Sequence, residues 1–213
     1  MNLHDIDACA PLAPAGREPA RRRLGIDPAC FVVLDVVPHT VAPRDGVDTV
    51  ILALARLRQR YGVDSILLLT GSFAPNAELA RLRALARALQ VEAHVRFVAA
   101  PLPDALRDCH AAANVLASTP WCASRVSAAY QAMPYALPVL CTDFGDSQGT
   151  VRDGITGYLI PPRDAALLAD RLARLQRLPL LAQAMAQAMA QAISDAGHAH
   201  LSNPDRFEKK ATP

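Results

Sequence analysis

Side chains that could carry out covalent or metal chemistry are present, but their spacing does not match a known active site. Ser118 and Ser127 lie outside the G-x-S-x-G setting that exposes a nucleophilic serine. Neither phosphate loop, G-x-x-x-x-G-K-[ST] or G-x-G-x-x-G, occurs in the chain. His198 and His200 form a His-Ala-His in a polar segment, which is more often solvated than metal-bound. We therefore expect no metal site and no cofactor.

The five cysteines favour a reducing compartment. They are scattered, odd in number and without a C-x-x-C pair, so neither a disulfide framework nor a zinc site is expected. Cys30, Cys109 and Cys141 lie at apolar segments and are predicted to be small buried hydrophobic residues. No signal peptide and no transmembrane segment is evident, and a cytoplasmic location is the simplest interpretation.

Composition indicates one globular domain. The chain has 213 residues, of which 52% are hydrophobic and 20% charged. A net charge of +2 gives no electrostatic reason to expect nucleic acid as a partner. Both lysines, Lys209 and Lys210, lie in the tail, so arginine supplies the positive charge of the domain.

Strand-like and helix-like segments alternate along the chain, and the strands are mostly continuous apolar runs. This pattern predicts a single Rossmann-like α/β domain over 21–194, whose parallel sheet is covered on both faces. A linker precedes it (1–20) and a polar tail follows (195–213). The predicted strands are 31–37, 65–70, 94–98, 114–117, 137–141 and 157–160. The predicted helices are 47–61, 77–89, 104–112, 124–135, 164–178 and 180–193.

The last predicted helix has one narrow apolar stripe. Leu181, Met185, Met189 and Ile193 are spaced four residues apart. The stripe is expected to dock on the core of this domain, with a partner groove as the alternative.

Residues 113–140 match a known sequence frame at most of its apolar positions. The frame, A-D-V-F-V-x-P-S-x-x-E-x-F-G-x-x-x-x-E-A-M-A-x-G-x-P-V-V, belongs to the retaining GT-B glycosyltransferases of family 4. Residues 153–162 are similar to the D-G-x-T-G-x-L-x-P-P of these enzymes, and 22–26 to the R-x-x-L-G-I that opens their second half. Residues 4–11 are similar to the strap between the halves. The resemblance implies the C-terminal, donor-binding half of a GT-B fold, with the acceptor-binding domain absent.

The resemblance also implies where a donor diphosphate would bind. There the family has G-R-L followed by K-G-V-D. His39 stands in place of the arginine and Asp45 in place of the lysine, and a carboxylate repels a diphosphate. Arg44 could substitute for the lysine, or be a solvated loop arginine. The donor-binding residues that the resemblance leaves are His39, Arg44, Ser124, Arg125 and Gln131.

Carboxylates are missing elsewhere in the same site. Ala123 and Gln131 occupy the positions of two family glutamates, and Gly149 occupies a third. Gln131 can bond a ribose hydroxyl, but less strongly than a carboxylate. Val126 replaces a glycine that allows close backbone approach. Trp121 could stack on a base or pack over the sheet edge.

Two functions follow from this pattern. The first is a glycosyltransferase-like protein, with no catalytic residue assigned, that is weak or inactive alone. It would bind a UDP- or GDP-linked sugar roughly 10³-fold more weakly than an intact site. Its partner would be a separate acceptor-domain chain or a second copy. The alternative is a non-catalytic scaffold or partner subunit of an active glycosyltransferase, and a decayed fragment without function is a third reading.

Overall fold

Six apolar segments form one parallel sheet. The computed structural model describes residues 16–99, 103–122, 132–144 and 151–202. The strands are β1 (Phe31–Thr40), β2 (Ser65–Ser72), β3 (Val95–Ala99), β4 (Val115–Ser118), β5 (Val139–Cys141) and β6 (Gly157–Leu159). Their spatial order is β3-β2-β1-β4-β5-β6, and every neighbouring pair is parallel. The predicted Rossmann-like architecture is therefore confirmed.

Six α-helices cover the sheet in the described ranges. They are α1 (Arg17–Arg23), α2 (Val47–Gln59), α3 (Ala77–Ala88), α4 (Pro103–Ala112), α5 (Ala165–Arg177) and α6 (Pro179–Ser202). Asp164 caps α5 as predicted, because its side chain accepts a hydrogen bond of 2.9 Å from the amide of Leu167. The predicted helix 124–135 lies mostly outside the described residues, and its end, Met133–Tyr135, is one 3₁₀ turn.

Strand β1 is longer than the sequence predicts. The predicted strand ends at Val37, directly before Pro38, which cannot donate a hydrogen bond to a neighbouring strand. The strand instead continues to Thr40, and its pairing with β2 shifts register between Val37 and Thr40. Proline is tolerated at such an irregularity, so the strand passes through it.

The sheet separates two apolar layers. Alternate β1 residues point to opposite faces, since the side chains of a strand have a period of two. Val33 and Val37 join a layer with α2, α3 and α5, whereas Val32 and Leu34 join a layer with α1 and α4. Cys30, Cys109 and Cys141 are buried in the second layer, as predicted.

Helix α6 contacts both layers. Met185 belongs to the layer of α2 and α5, while Met189 belongs to the layer of α1 and α4, and both are buried. The predicted docking of the stripe on the domain's own core is confirmed for these two residues. Helix α6 runs through Ser202, so the first residues of the predicted polar tail belong to this helix. At the other end of the domain, Arg17 to Ala20 of the predicted linker form part of α1. None of the described helices is long and apolar enough to cross a membrane.

A buried arginine ties α1 to the rest of the domain. Arg21 is only 4% exposed. Its guanidinium donates to the carbonyl oxygens of Ala112 and Pro28 and to Oδ1 of Asn114, at 3.0, 2.5 and 2.6 Å. The same Oδ1 accepts from the amide of Val32 at 2.8 Å. Arg21 therefore links α1, the end of α4 and the start of β1 without an acidic partner among these contacts.

Candidate functional site

The loops that follow β1 and β4 meet at the carboxyl edge of the sheet, where parallel α/β folds bind ligands. Thr119 donates from Oγ1 to the carbonyl oxygen of Gly46 at 3.0 Å. The amide of Trp121 donates to the carbonyl oxygen of Arg44 at 2.8 Å. The turn before α2 and the loop after β4 are thus held against each other, as a binding site built from both requires.

Gly46 is required at this contact. It has a φ of +71°, and a Cβ at this position would lie 1.8 Å from the carbonyl oxygen of Thr119. No side chain can be accommodated there without moving the backbone of the neighbouring loop. The glycine of the K-G-V-D motif is retained because the fold needs it, whatever the state of the charged residue before it.

The loop after β5 joins the same cluster. Thr142 is buried, and its Oγ1 donates to the carbonyl oxygen of Pro120 at 2.9 Å. The amide of Thr142 bonds back to the carbonyl oxygen of Ser118 at 3.3 Å. Backbone groups of three loops are therefore placed in one region by the scaffold alone.

Asp45 bonds to its own turn. Its Oδ2 accepts a hydrogen bond of 2.8 Å from the amide of Ala42, which closes the 3₁₀ turn Pro43–Asp45 ahead of α2. Arg44 is exposed in the same turn and has no ion-pair partner among the described residues. The motif position that carries a lysine in the family is thus filled by a carboxylate with a structural role, and a cation stands one residue earlier.

A second carboxylate lies beneath this turn. Asp35, in the middle of β1, is 2% exposed, and its Oδ2 has no hydrogen-bond partner among the described residues. Burial, and to a smaller extent the negative charge of Asp45, raise the pKa of Asp35 to about 8. Sequence reasoning missed Asp35. The available signal was a single acid inside an otherwise apolar strand.

One face of the Trp121 ring is covered by an arginine of the turn before α5. The guanidinium carbon of Arg163 lies 4.0 Å from the centre of this ring, a cation–π contact. Arg163 has a φ of +65°, an uncommon conformation for a residue with a side chain. The contact covers one face of the indole, so that face is not free to stack on a base.

Most of the expected donor-binding residues lie outside the described part of the chain. This holds for Ser124, Arg125 and Gln131, and for the replaced position Ala123. The backbone of His39 belongs to β1, but its side chain is outside what the structure describes. Arg44 is the predicted site residue whose side chain is described, and the grouping of all five stays a prediction.

Other candidate ligands do not gather into a metal site. Over the described residues, no three His, Cys, Asp or Glu side chains are grouped to hold a metal ion. His110 is buried, its Nδ1 lies 2.8 Å from the carbonyl oxygen of Leu106, and its ring stacks on Tyr135. Burial lowers the pKa of His110, which favours the neutral ring of a core residue.

Comparison with known proteins agrees with this architecture. The family model described as glycosyl transferases group 1 matches residues 27–192. A D-inositol 3-phosphate glycosyltransferase of Streptomyces bingchenggensis is 32% identical over 177 residues, which cover 80% of this chain and 38% of that protein. The chain spans about two-fifths of the length of the curated relatives it matches.

Two solved structures show the same fold. The C-terminal domain of a group 1 glycosyl transferase family protein from Francisella tularensis has a TM-score of 0.78 at 16% identity, and the match covers 90% of this chain and 96% of that domain. Anabaena HepE, solved in complex with UDP-glucose, has a TM-score of 0.77 at 20% identity, covering 90% of this chain and 50% of that one. The expected equivalence to the C-terminal half of a GT-B fold is confirmed.

Proposed function

Because the chain belongs to the group 1 glycosyl transferase family, we propose that it forms the donor-binding half of a GT-B glycosyltransferase and is weak or inactive alone. Its ligand is a nucleotide sugar, UDP- or GDP-linked. We propose as its partner a separate acceptor-domain chain or a second copy of this chain. The solved relative that binds UDP-glucose through the same overall fold supports the ligand class.

The observation that carries the proposal is the charge at the turn before α2. A donor diphosphate is stabilised by cations, and the charge that develops on it during transfer needs the same cations. Asp45 places a negative charge there, and its bond to the amide of Ala42 holds that carboxylate in the turn. The arrangement of the loop backbones supports binding of the donor, whereas the negative charge of Asp45 opposes it.

Arg44 and backbone amides are the groups left to bind phosphate. Arg44 is exposed at the start of the turn, and its guanidinium is a strong phosphate donor. The N-terminus of α2, which follows directly at Val47, carries the partial positive charge of a helix start. The Arg44 guanidinium and the N-terminus of α2 could together support weak binding of the donor diphosphate without a lysine.

The scaffold alternative has less support. A scaffold could dock through the stripe Leu181–Ile193, but Met185 and Met189 of that stripe are buried in this domain's own core. It could also dock through the inter-domain face, which in a GT-B fold lies at the carboxyl edge of the sheet. Of the large apolar side chains described there, Phe144 is the exposed one. A single side chain is far smaller than the patches that mark protein interfaces.

Calorimetric titration with UDP, GDP and their sugar conjugates tests the proposal. Wild-type protein should bind in the high micromolar to millimolar range. Asp45→Lys should bind UDP at least about 10-fold more tightly, because it replaces a repulsive charge with an attractive one. Asp45→Asn, which removes the charge while keeping an acceptor for the amide of Ala42, should gain less.

Arg44→Gln and Arg22→Gln form a matched pair for the remaining cation. Both arginines are exposed, but Arg22 lies in α1, away from the carboxyl edge. Arg44→Gln should weaken UDP binding about 5- to 10-fold, and Arg22→Gln should leave it unchanged. Rapid sugar transfer by the wild-type chain alone would refute the inactive part of the proposal. No gain in Asp45→Lys would refute the role given to charge.

A further inference from the structure

The amino edge of the sheet carries an amphipathic surface far from the carboxyl edge. Helices of a parallel α/β domain run opposite to the strands, so α2 and α5 both end at the amino edge. Between these ends lies a groove of about 350 Å³, lined by Tyr61, Asp170, Ala173, Arg174, Arg177 and Leu178. Its rim continues into the elbow between α5 and α6.

Two arginines flank one aromatic ring at this groove, and a third arginine lines the groove. The guanidinium groups of Arg60 and Arg177 lie 5.7 and 5.4 Å from the centre of the Tyr61 ring. Arg174, one turn before Arg177, lines the same groove. None of the three has an ion-pair partner within the described part of the chain.

Asp170, which lines the groove, and Asp64, three residues after Tyr61, are each in an ion pair with an arginine. Asp170 lies 3.5 Å from Arg171, and Asp64 lies 2.9 Å from Arg58. The three unpaired arginines therefore leave the surface with a local excess of positive charge. Arginines in the last turn of a helix are also stabilised by the helix dipole. This effect alone could account for the presence of Arg174 and Arg177.

The dipole does not explain the apolar residues beside these arginines. Leu178 is 48% exposed and Leu180 is 82% exposed, with the exposed Pro179 between them. They stand at the tip of the elbow where α5 ends and α6 begins. An apolar tip surrounded by arginines and a tyrosine is the pattern of a surface that lies on a lipid bilayer rather than in water.

We infer that this surface, made of Arg60, Tyr61, Arg174, Arg177, Leu178 and Leu180 and here called the elbow surface, docks on an anionic phospholipid membrane. The arginines complement the negative headgroups, and the two leucines enter the boundary between headgroups and acyl chains. Tyr61 is suited to the same interface, where amphipathic aromatic rings are enriched. The inference does not depend on the proposed sugar chemistry, since it concerns the opposite edge of the sheet.

Vesicle flotation with the purified chain tests it. Vesicles of phosphatidylcholine alone are compared with equal mixtures of phosphatidylcholine and phosphatidylglycerol. Wild-type protein should float with the mixed vesicles and stay behind with the neutral ones, and added salt should release it. The Arg60→Gln/Arg174→Gln/Arg177→Gln variant should lose roughly 100-fold in partitioning, since each basic residue near an anionic surface contributes about a fivefold factor.

Matched variants separate the elbow surface from general charge and apolarity. Arg22→Gln/Arg83→Gln/Arg107→Gln removes the same charge from exposed positions elsewhere, and it should bind as the wild type does. Leu178→Ser/Leu180→Ser should lose binding, whereas Phe144→Ser, at the other edge, should not. Circular dichroism melting curves confirm that each variant is folded.

Three results would overturn the inference. One is wild-type protein that does not float with mixed vesicles, which would leave the elbow surface to an acidic protein partner. Another is equal loss in the two triple-arginine variants. The third is normal flotation of both variants of the elbow surface, the triple-arginine variant and Leu178→Ser/Leu180→Ser. None of these readouts requires a nucleotide sugar, so the test is independent of donor binding.

Discussion

Asp35 is a carboxyl group in the middle of the central strand, with one oxygen that lacks a hydrogen-bond partner in the described structure. Burial disfavours its charged form, which raises its pKa from the usual 3.8 to about 8. Near neutral pH the folded chain therefore keeps a proton there that the unfolded chain has already released. A buried acid of this kind lowers stability, because folding must take up a proton.

The sign of the pH dependence follows from the proton count. Between about pH 4 and pH 8 the folded state binds more protons at Asp35 than the unfolded state does, so this group makes the free energy of unfolding fall as pH rises. Below about pH 4 Asp35 no longer lowers the free energy of unfolding, and above about pH 8 the amount by which it lowers this free energy is constant. Asp35→Asn cannot ionise and should be more stable than wild type at neutral pH, by roughly 4 kcal/mol at about 1.4 kcal/mol per pH unit.

Urea unfolding at about pH 5, 7 and 9 measures this effect. The gain in Asp35→Asn should grow across the series until it levels off. Asp104→Asn serves as the control, because Asp104 is a surface carboxylate, 88% exposed. Equal pH slopes for wild type and Asp35→Asn would show that Asp35 ionises normally in the folded chain.

At the scale of elements, Arg21 joins α1 to the domain, alongside the ion pair of Arg23 with Asp108 of α4. Its guanidinium is buried and bonded to neutral oxygens, and burial lowers the pKa of Arg21. The acceptor Asn114 occupies the position of the aspartate in the A-D-V motif that residues 113–115 resemble. The link between α1 and the start of β4 is therefore made without a charged acceptor.

Asn114→Asp should strengthen this link. A carboxylate oxygen at Oδ1 can accept the same bonds from Arg21 and from the amide of Val32, and a hydrogen bond between charged groups contributes about 1 kcal/mol more than a neutral one. The variant should therefore gain about 1 kcal/mol in the free energy of unfolding, and lose that gain in acid as the new carboxylate is protonated.

A double-mutant cycle isolates the pair. Arg21→Met should destabilise the chain, and Asn114→Asp should bring no gain when it is added to Arg21→Met. Thermal unfolding of the four proteins supplies the numbers. A gain from Asn114→Asp that persists without Arg21 would assign it to another contact.

At the scale of the whole molecule, the fold follows from patterns that sequence reasoning can detect. Continuous apolar strands that alternate with helices specify a parallel sheet, and Asp164 marks the start of α5 as a capping residue. The resemblance to the K-G-V-D motif also places Gly46 in the turn before α2. The boundary at Val37 was too early, because a single sequence does not show that a register shift accommodates Pro38.

The arrangement of the site depends on contacts between residues far apart in the chain. Thr119 meets Gly46, and Arg163 covers Trp121, through packing that no local pattern encodes. The protonation of Asp35 likewise depends on what surrounds β1 on both sides. Sequence therefore predicts which segments build the site, while the environment of each side chain comes from the tertiary structure.

Helix α6 packs into both apolar layers, because Met185 is buried in one and Met189 in the other. We expect this helix to make the two layers unfold as one cooperative unit. Met185→Ala and Met189→Ala should each lower the free energy of unfolding by about 2–5 kcal/mol, since each leaves a cavity in a packed core. Gln187→Ala, on the exposed side of the same helix, is the control and should change it little. In urea, both methionine variants should shift the midpoint with the same slope as wild type, because the layers unfold together. A lower slope or a second transition in one variant would show that its layer unfolds on its own, and that α6 does not couple the two.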